Sequence, residues 1–406
     1  MPEQALLDRY SDLAVRVGAN LEPGQYLDIV CLLEHAPLAR AIARAGWRAG
    51  ASYVDVVYRD QHVKRELIEH GSEDALAFTP PWMLRRIEHL VEVRGAQVDI
   101  TGNPEPELFG ALDAARVGRT RMHELSDLAG RVVNEGQISW TIVSCPNEGW
   151  AETVFGEPDV ERLWAAVAQG VRLDEPDPVQ AWREHMGTLT ARAGRLNERR
   201  LEAVRYRGPG TDLKVGLNPA SIWMAAEFTT SWGRKHIPNL PTEEVFTTPD
   251  WRRADGVVRS TRPLNMPGHG ILVRDLELTF EHGRAIDVRA TSGGEAVRAQ
   301  MEIDEGAARL GELALVDGES AVGKTGIIFF DTLFDENATS HLAYGRGISF
   351  TVDGALGRSK AEQAELGVND SIIHTDFMVG GPEVDIDGVT EGGRLVPILK
   401  DDVWQL

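Results

Sequence analysis

Cysteine is scarce in this chain, and long hydrophobic runs and a surplus of positive charge are missing. Its 406 residues include two cysteines, Cys31 and Cys145, which lie far apart in apolar runs. We therefore expect buried free thiols of a reducing compartment. No apolar run approaches the ~18 residues of a membrane span, and the N-terminus lacks the basic and apolar regions of a signal peptide. The sequence predicts a cytoplasmic protein.

Negative charge dominates the composition. The chain has 63 Asp and Glu residues against 42 Lys and Arg residues, which gives a formal net charge of −21. Such a chain repels phosphate backbones and anionic lipids, so we expect neither a general nucleic-acid partner nor a membrane partner. At ~100 to 200 residues per domain, the length predicts two or three domains with ample core.

The order of predicted elements divides the chain near residue 200. Before that point, helices alternate with short β-rich runs; the helices cover 36–49 and 79–94, and the runs cover 27–30, 53–58 and 98–101. This alternation is typical of βαβ units and a largely parallel sheet. After it, Gly and Pro punctuate short β-like runs, with a helix at about 294–310. We expect an α/β domain over 1–200 and a mixed, β-rich domain over 201–406 that carries the functional site.

One motif suggests a function that its surroundings do not support. Residues 318–325 match the pattern G-x-x-x-x-G-K-T of phosphate-binding loops. A working loop of this kind needs a helix after its Lys-Thr pair, because the helix N-terminus holds the phosphates. The β-rich run GIIFFD follows here, so we interpret the segment as a turn between two strands.

Two histidines differ from the other nine, which stand alone in polar stretches or loops and are expected at the surface. In the predicted strand within SIIHTDFM, His374 and Asp376 share one face and apolar residues share the other. This spacing forms a compact ligand pair for zinc, manganese, cobalt or iron, although it also fits a hydrogen-bonded surface pair. His341 is the second such histidine, since an acidic stretch precedes it.

Further carboxylates occur beside apolar segments. Glu312 is expected at a helix end before an apolar run, and Glu336 where an apolar strand passes into a polar stretch. Glu243 and Glu244 are adjacent on a segment that proline constrains. Neighbouring carboxylates in apolar surroundings repel one another unless a cation compensates. The sequence therefore predicts a divalent metal site in the C-terminal half.

Five blocks of sequence carry a resemblance to a known family: GPGTDL (208–213), NLPTEEVFT (239–247), DEGAARLGELALV (304–316), KTGIIFFDTLFDENATSH (324–341) and VNDSIIHTDFM (368–378). With these blocks the whole chain resembles the metallo-aminopeptidases typified by aminopeptidase T, aminopeptidase S and PepS. The resemblance implies a cytoplasmic homodimer of two-domain chains that removes N-terminal residues from peptides. It also implies two divalent ions per chain, zinc, cobalt, manganese or magnesium.

Carried over position by position, the resemblance implies a set of metal ligands: Glu244, Glu312, Glu336, His341, His374 and Asp376. Glu312 is also expected to act in catalysis. Glu243 is the candidate for a partner that contacts a ligand from outside the metal site.

The chain departs from the family at one catalytic position. The family pattern His-x-Ala-x-Gly-x-x-Tyr reads HLAYGRGI here, so Ile348 stands where the family has a tyrosine regarded as catalytic. Isoleucine cannot donate a hydrogen bond to a developing oxyanion, a contribution worth ~3 kcal/mol. Tyr344 lies four residues earlier, one turn away if the segment is helical, and is our candidate for the catalytic hydroxyl.

Two other functions fit parts of the pattern. His341, His374 and Asp376 alone form the two-histidine, one-carboxylate set of mononuclear iron oxygenases, and distant relatives of this fold resemble ring-opening dioxygenases. Such a triad has no need of Glu244 and Glu312, which favours the peptidase. The other alternative is a non-catalytic protein in which metal stabilises the C-terminal domain and a cavity only binds peptides.

Overall fold

The computed structural model describes residues 4–225, 227–266 and 271–406. The α-helices are α1 (Gln4–Leu13), α2 (Ala36–Arg48), α3 (Gln61–His70), α4 (Glu73–Leu76), α5 (Pro81–Glu92), α6 (Ala114–Arg119), α7 (His123–Asn134), α8 (Glu148–Phe155), α9 (Val160–Gly170), α10 (Pro178–Arg199), α11 (Gly294–Met301), α12 (Thr332–Glu336) and α13 (Lys360–Glu365). Short 3₁₀ turns cover Leu33–His35, Gly323–Thr325 and Ser349–Thr351, and a π-helical turn covers Ala14–Gly18.

The strands are β1 (Tyr26–Leu32), β2 (Tyr53–Arg59), β3 (Ala96–Thr101), β4 (Ser139–Ser144), β5 (Ala203–Gly208), β6 (Thr211–Leu217), β7 (Met224–Ala225), β8 (Phe228–Thr229), β9 (Lys235–His236), β10 (Val245–Thr247), β11 (Pro249–Arg259), β12 (Leu264–Met266), β13 (Ile271–Val273), β14 (Glu277–Glu281), β15 (Arg284–Arg289), β16 (Leu310–Leu315), β17 (His341–Gly345), β18 (His374–Met378), β19 (Asp385–Val389), β20 (Leu395–Lys400) and β21 (Val403–Trp404).

By compactness the chain forms two units, Met1–His185 with Ala226–Thr242, and Met186–Ala225 with Glu243–Leu406. The segment before residue 243 belongs to the first unit because it extends that unit's sheet. The Ile142 N–H donates to the Pro238 carbonyl at 2.7 Å, and the Leu240 N–H donates to the Ile142 carbonyl at 3.0 Å. The first unit's initial segment ends at His185, within α10, so the bounds of the units are not those of the expected domains. The division into domains 1–200 and 201–406 stays a prediction.

The first unit is built on a parallel sheet of order β2-β1-β3-β4. Its central strand β1 is buried along most of its length, as expected when crossover helices cover both faces of a parallel sheet. Some of its helices begin at a side-chain cap; at the start of α3, the Asp60 carboxylate accepts from the His62 N–H and the Val63 N–H. The predicted parallel α/β arrangement is confirmed.

The second unit is mainly antiparallel β-structure. An eight-stranded sheet has the order β15-β14-β11-β6-β5-β19-β20-β21, and a five-stranded sheet has the order β18-β17-β16-β10-β7. A buried strand at the centre of the five-stranded sheet, β16, has no exposed residue. The expected mixed, β-rich C-terminal half is therefore confirmed, and the five-stranded sheet is the part that matters for the site.

Several local predictions in this half were wrong. The helix expected to about residue 310 ends at Met301, so Glu312 lies inside a strand rather than at a helix end. The run 327–330 forms no strand. The phosphate-loop pattern ends in a single 3₁₀ turn at Gly323–Thr325, and the Lys324 ammonium pairs with the Glu319 carboxylate at 3.0 Å. These findings support setting nucleotide binding aside.

Candidate metal centre

Adjacent strands of the five-stranded sheet carry the predicted ligands. His374 and Asp376 lie on β18, His341 begins β17, and Glu312 lies on β16. Glu244 directly precedes β10, and Glu336 is the last residue of α12. Side chains on neighbouring antiparallel strands lie about 5 Å apart when their residues pair, so this order brings together residues that are distant in sequence.

The strand register places the carboxylates on one side of the sheet. Glu312 pairs with Ala343, and Ala343 pairs with Asp376. Paired residues of an antiparallel sheet project to the same face, so the row reads carboxylate, methyl group, carboxylate. The small Ala343 side chain leaves the space between the two carboxylates open. We call this side of the sheet the front face and the opposite side the back face.

Six side chains form one cluster on the front face. Ligand atoms of each of three sets lie within 4.8 Å of one another: Glu244, Glu312 and His341; Glu312, His374 and Asp376; and Glu336, His341 and Asp376. Because these sets share members, they describe one continuous centre. The structure thus brings together all six side chains that the resemblance implied as metal ligands.

Both imidazoles are held in the same way. The Nδ1 atom of His341 lies 2.9 Å from the Glu336 carbonyl oxygen, and the Nδ1 atom of His374 lies 2.8 Å from the Arg346 carbonyl oxygen. A carbonyl only accepts, so each Nδ1 carries the proton and each Nε2 is directed at carboxylates. The Nε2 atoms lie 3.1 Å from Glu244 and 2.9 Å from Glu312. A bare Nε2 lone pair would be repelled by these carboxylate oxygens, so either a proton or a metal ion has to compensate at each Nε2.

The charges of the cluster lead to the same conclusion. Four carboxylates would place four negative charges in a buried site, and two neutral imidazoles leave that charge uncompensated. Burial, followed by the charge of Asp376, raises the pKa of Glu336 well above its usual value. Burial alone would lower the pKa of His341, but the hydrogen bond and charge of Glu244 raise it to about 10. Divalent cations suit both the negative charge and the donor atoms, carboxylate oxygen and imidazole nitrogen.

The two ends of the cluster differ in exposure. The side chains of His341 and Glu244 are 2% and 9% exposed, whereas those of Asp376 and His374 are 14% and 32% exposed. The His374 end therefore faces solvent and the His341 end is closed.

Asn337 is a supporting residue that the sequence interpretation did not single out. It is fully buried, its Oδ1 accepts from the Glu243 N–H at 2.7 Å, and its Nδ2 donates to the Leu333 carbonyl at 2.8 Å. It thus links the segment of Glu244 to the helix of Glu336. The neighbouring Glu243 is buried rather than exposed, and its carboxylate accepts from the Ala321 N–H at 3.2 Å. The signal in the sequence that could have identified Asn337 was its position directly after the candidate ligand Glu336.

The structure corrects the expectation for Tyr344. This residue lies in β17 rather than in a helix, and it pairs with Thr375, whose side chain is on the back face. Its hydroxyl donates to the Gln300 Oε1 at 2.5 Å in a fully buried environment. Tyr344 is therefore on the other side of the sheet from the metal centre and does not replace the hydroxyl missing at Ile348. Ile348 follows β17, with its N–H donating to the Thr248 Oγ1 at 2.8 Å.

The predictions for the remaining polar residues had mixed outcomes. Cys31 and Cys145 are buried free thiols, as predicted. The surface location expected for the other histidines was wrong for His35 and His236, which are buried, and His269 lies outside the described residues. The Nε2 of the buried His35 lies 2.8 Å from the Gly102 carbonyl oxygen, a tertiary interaction that a local polar context does not reveal.

Comparison with known proteins identifies the family. A family model described as thermophilic metalloprotease (M29) matches residues 3–404. The chain belongs to this family. It is 39% identical over 405 residues to aminopeptidase T of Thermus thermophilus, covering 98% of each chain. It is 36% identical over 405 residues to aminopeptidase 2 of Geobacillus stearothermophilus, covering 98% of this chain and 97% of the relative.

A solved structure agrees with the family assignment. Wild-type AmpT from Thermus thermophilus superimposes with a TM-score of 0.89 at 36% identity, covering 100% of both chains. This M29 metalloprotease is accordingly a hydrolase of the exopeptidase class, and neither the oxygenase nor the non-catalytic alternative is favoured. Among the described residues, no helix is long and apolar enough to cross a membrane.

Proposed function

We propose that this M29 chain removes N-terminal residues from peptides by using two divalent metal ions held on the front face of the five-stranded sheet. The observation that carries the proposal is that the ligand sets around His341 and His374 share Glu312. A shared carboxylate between two imidazoles is the arrangement expected of a two-ion centre. A mononuclear centre would leave at least two of the four buried carboxylates uncompensated.

The ligands divide between the two ions through the imidazoles. Among the described residues, none of these ligand sets contains both imidazoles, so we assign His341 and His374 to different ions. Glu244 and His341 would hold the ion at the closed end, His374 and Asp376 would hold the ion at the exposed end, and Glu312 would serve both. Zinc, cobalt and manganese suit this mixture of oxygen and nitrogen donors.

Peptide hydrolysis needs a proton acceptor beside the nucleophile. Bound divalent ions supply Lewis acidity and lower the pKa of a bound water from 15.7 towards about 7. Glu336 is outside the two assigned triads but has a carboxylate oxygen within 4.8 Å of ligand atoms of His341 and Asp376. We infer that Glu336, which the resemblance implied as a metal ligand, would instead accept the proton of the attacking water and return it to the leaving amine. Glu312, as the shared carboxylate, keeps the catalytic role predicted from the sequence.

The donor set suits a substrate with a free amino terminus. Because two divalent ions would balance the four carboxylates, the neutral α-amine of a peptide would serve as a further nitrogen ligand at the more exposed His374 end. The exposed His374 end is our candidate for the side from which a peptide enters. We also propose, as the resemblance implies, that the protein is a cytoplasmic homodimer. Its two free cysteines are consistent with a reducing compartment.

Metal counting combined with a turnover assay tests this proposal. The protein is purified, stripped with a chelator, and reloaded with zinc, cobalt or manganese before the ions per chain are counted. Loaded protein is then incubated with Leu-, Phe- and Arg-initiated peptides. We expect two ions per chain and release of the first residue, with activity lost on chelation. One ion per chain at saturating metal, or two ions without any turnover, would overturn the proposal.

A further inference from the structure

The back face of the metal-binding sheet contains a buried polar group that the proposed reaction does not use. Tyr344 and Thr375 pair across β17 and β18, and both side chains reach the same atom, the Oε1 of Gln300 on α11. The hydroxyl–oxygen distances are 2.5 Å from Tyr344 and 3.2 Å from Thr375. The three residues are 0%, 1% and 3% exposed, so water cannot replace these contacts.

The chemistry of this group requires an acceptor at residue 300. A buried hydroxyl without a partner is strongly unfavourable, and an amide oxygen has two lone pairs that can accept two hydrogen bonds. Gln300 therefore satisfies both hydroxyls at once. Since the remaining back-face neighbours Leu342 and Phe377 are apolar and fully buried, the amide oxygen specifies where α11 and the two strands meet.

Strand geometry connects this contact to the metal ligands. Successive side chains of a strand project to opposite faces, so Thr375 on the back face lies between His374 and Asp376 on the front face. A twist of β18 about its axis that moved Thr375 would tilt both ligands. Tyr344 follows Ala343, the residue that separates the carboxylates of Glu312 and Asp376. The back-face contacts thus fix the orientation of the front-face ligands of the exposed end.

We propose that Gln300 is a positioning residue of the metal centre, which holds Thr375 and Tyr344 from behind the sheet so that His374 and Asp376 keep the geometry needed to bind the second ion. This inference rests on the two-ion centre proposed above. It predicts an uneven effect, because the contact lies behind the His374 end. The ion of the exposed end should bind more weakly when the contact is removed, while the ion assigned to Glu244 and His341 should change little.

The test compares variants that remove a polar contact with variants that keep it. Gln300→Met removes the acceptor at similar volume, and Thr375→Val removes the smaller hydroxyl at nearly constant shape. Thr375→Ser keeps the hydroxyl, and Met301→Leu changes the adjacent buried residue of α11 without altering a polar contact. Each full-length protein is stripped and titrated with cobalt, and both ion affinities and the visible cobalt spectrum are measured. A His374→Ala variant shows which binding phase belongs to the exposed end.

We expect Gln300→Met and Thr375→Val to weaken the His374-end ion roughly tenfold and to alter its cobalt spectrum, in the range seen for residues that orient ligands. Thr375→Ser and Met301→Leu should stay within about twofold of the unaltered protein. Thr375→Val should add little in the Gln300→Met background, because both substitutions remove the same hydrogen bond.

Affinities and spectra that stay unchanged while only the melting temperature falls would overturn the inference. If Gln300→Met fails to fold, Thr375→Val and Thr375→Ser decide alone. An unaltered protein that binds no second ion would instead overturn the two-ion proposal, and this inference with it.

Discussion

The two faces of the five-stranded sheet use the same strands for opposite purposes. On the front face, β16, β17 and β18 present Glu312, His341 and Asp376 to a cluster of charges. On the back face, residues that alternate with them, Leu313 and Leu342, are fully buried core residues. The position of a residue along its strand therefore decides whether its side chain contacts the metal centre directly or packs into the core. Apolar back-face residues should affect mainly stability, whereas the back-face polar contact of Thr375 with Gln300 is the one proposed above to act on the ions indirectly.

The largest effect is expected on the front face at the shared ligand. Glu312→Gln preserves shape but removes the charge that both ions need, so kcat/KM should fall about 10³-fold, which corresponds to about 4 kcal/mol. The amide relieves the repulsion among the buried carboxylates, so the metal-free protein should melt no earlier than the unaltered one. Ion counting, peptide turnover and thermal melting check these points.

Glu319→Gln is the matched control, because Glu319 is an exposed carboxylate that pairs with Lys324. It should leave both activity and ion content unchanged. Retention of two ions and of most activity in Glu312→Gln would contradict the assignment of Glu312 as the shared ligand.

A pair of adjacent substitutions tests the comparison most directly. Ala343→Leu fills the front-face space between Glu312 and Asp376 and should weaken ion binding roughly 10- to 100-fold, with a stability cost of about 1–3 kcal/mol from overpacking. Leu342→Ala, one residue earlier on the back face, should lower the free energy of unfolding by about 2–5 kcal/mol. The folded fraction of Leu342→Ala should still bind two ions. Metal titration and denaturant unfolding of both variants check these expectations. Weaker ion binding in the folded Leu342→Ala protein, together with unchanged ion binding in Ala343→Leu, would refute the assignment of functions to the two faces.

A smaller effect is expected from pH on the metal-free protein. Burial lowers the pKa of His341, but the hydrogen bond and the charge of Glu244 outweigh burial and raise this pKa to about 10. Because this exceeds the unfolded value of ~6.5, the protonated imidazole stabilises the fold fully below that value, and the contribution is lost as the pH rises through about 10. Between pH 7 and pH 10, the melting temperature of the chelated protein should therefore fall by at least about 3 °C more than that of the chelated His341→Gln variant, which lacks this imidazole.

Bound metal ions should reverse this dependence of the melting temperature on pH, because a metal ion would take the place of the proton on the His341 Nε2 and protons compete with it for that atom. The loaded protein should keep its melting temperature towards high pH, and turnover should decline as the pH falls from about 8 to 5. Calorimetry with chelator and with zinc, together with rates across this range, separates the two states. A rate that is constant from pH 5 to 8 would show that no ligand competes for protons.

Local periodicity was enough to predict the parallel sheet and the facing of His374 and Asp376, since both follow from short-range alternation. The convergence of Glu312, Ala343 and Asp376 depends on strand pairing between distant segments, which composition and spacing do not encode; the resemblance to a family supplied the ligand set instead. The error for Tyr344 has a definite cause. On a strand, the odd spacing from His341 places Tyr344 on the opposite face, whereas the prediction relied on a helix that would bring Tyr344 within one turn of residue 348.

The last expected effect is a gain of activity, and it tests whether the protein lacks a catalytic hydroxyl at residue 348 that Tyr344 does not supply. The family resemblance places a tyrosine at the position of Ile348, whose backbone is anchored to Thr248. Ile348→Tyr should raise kcat about tenfold, a part of the ~3 kcal/mol that such a donor can contribute, with little change in ion content. Ile348→Phe supplies the ring without the hydroxyl and should not raise kcat. Equal rates in these two variants would show that packing, rather than a missing hydrogen-bond donor, limits turnover at this site.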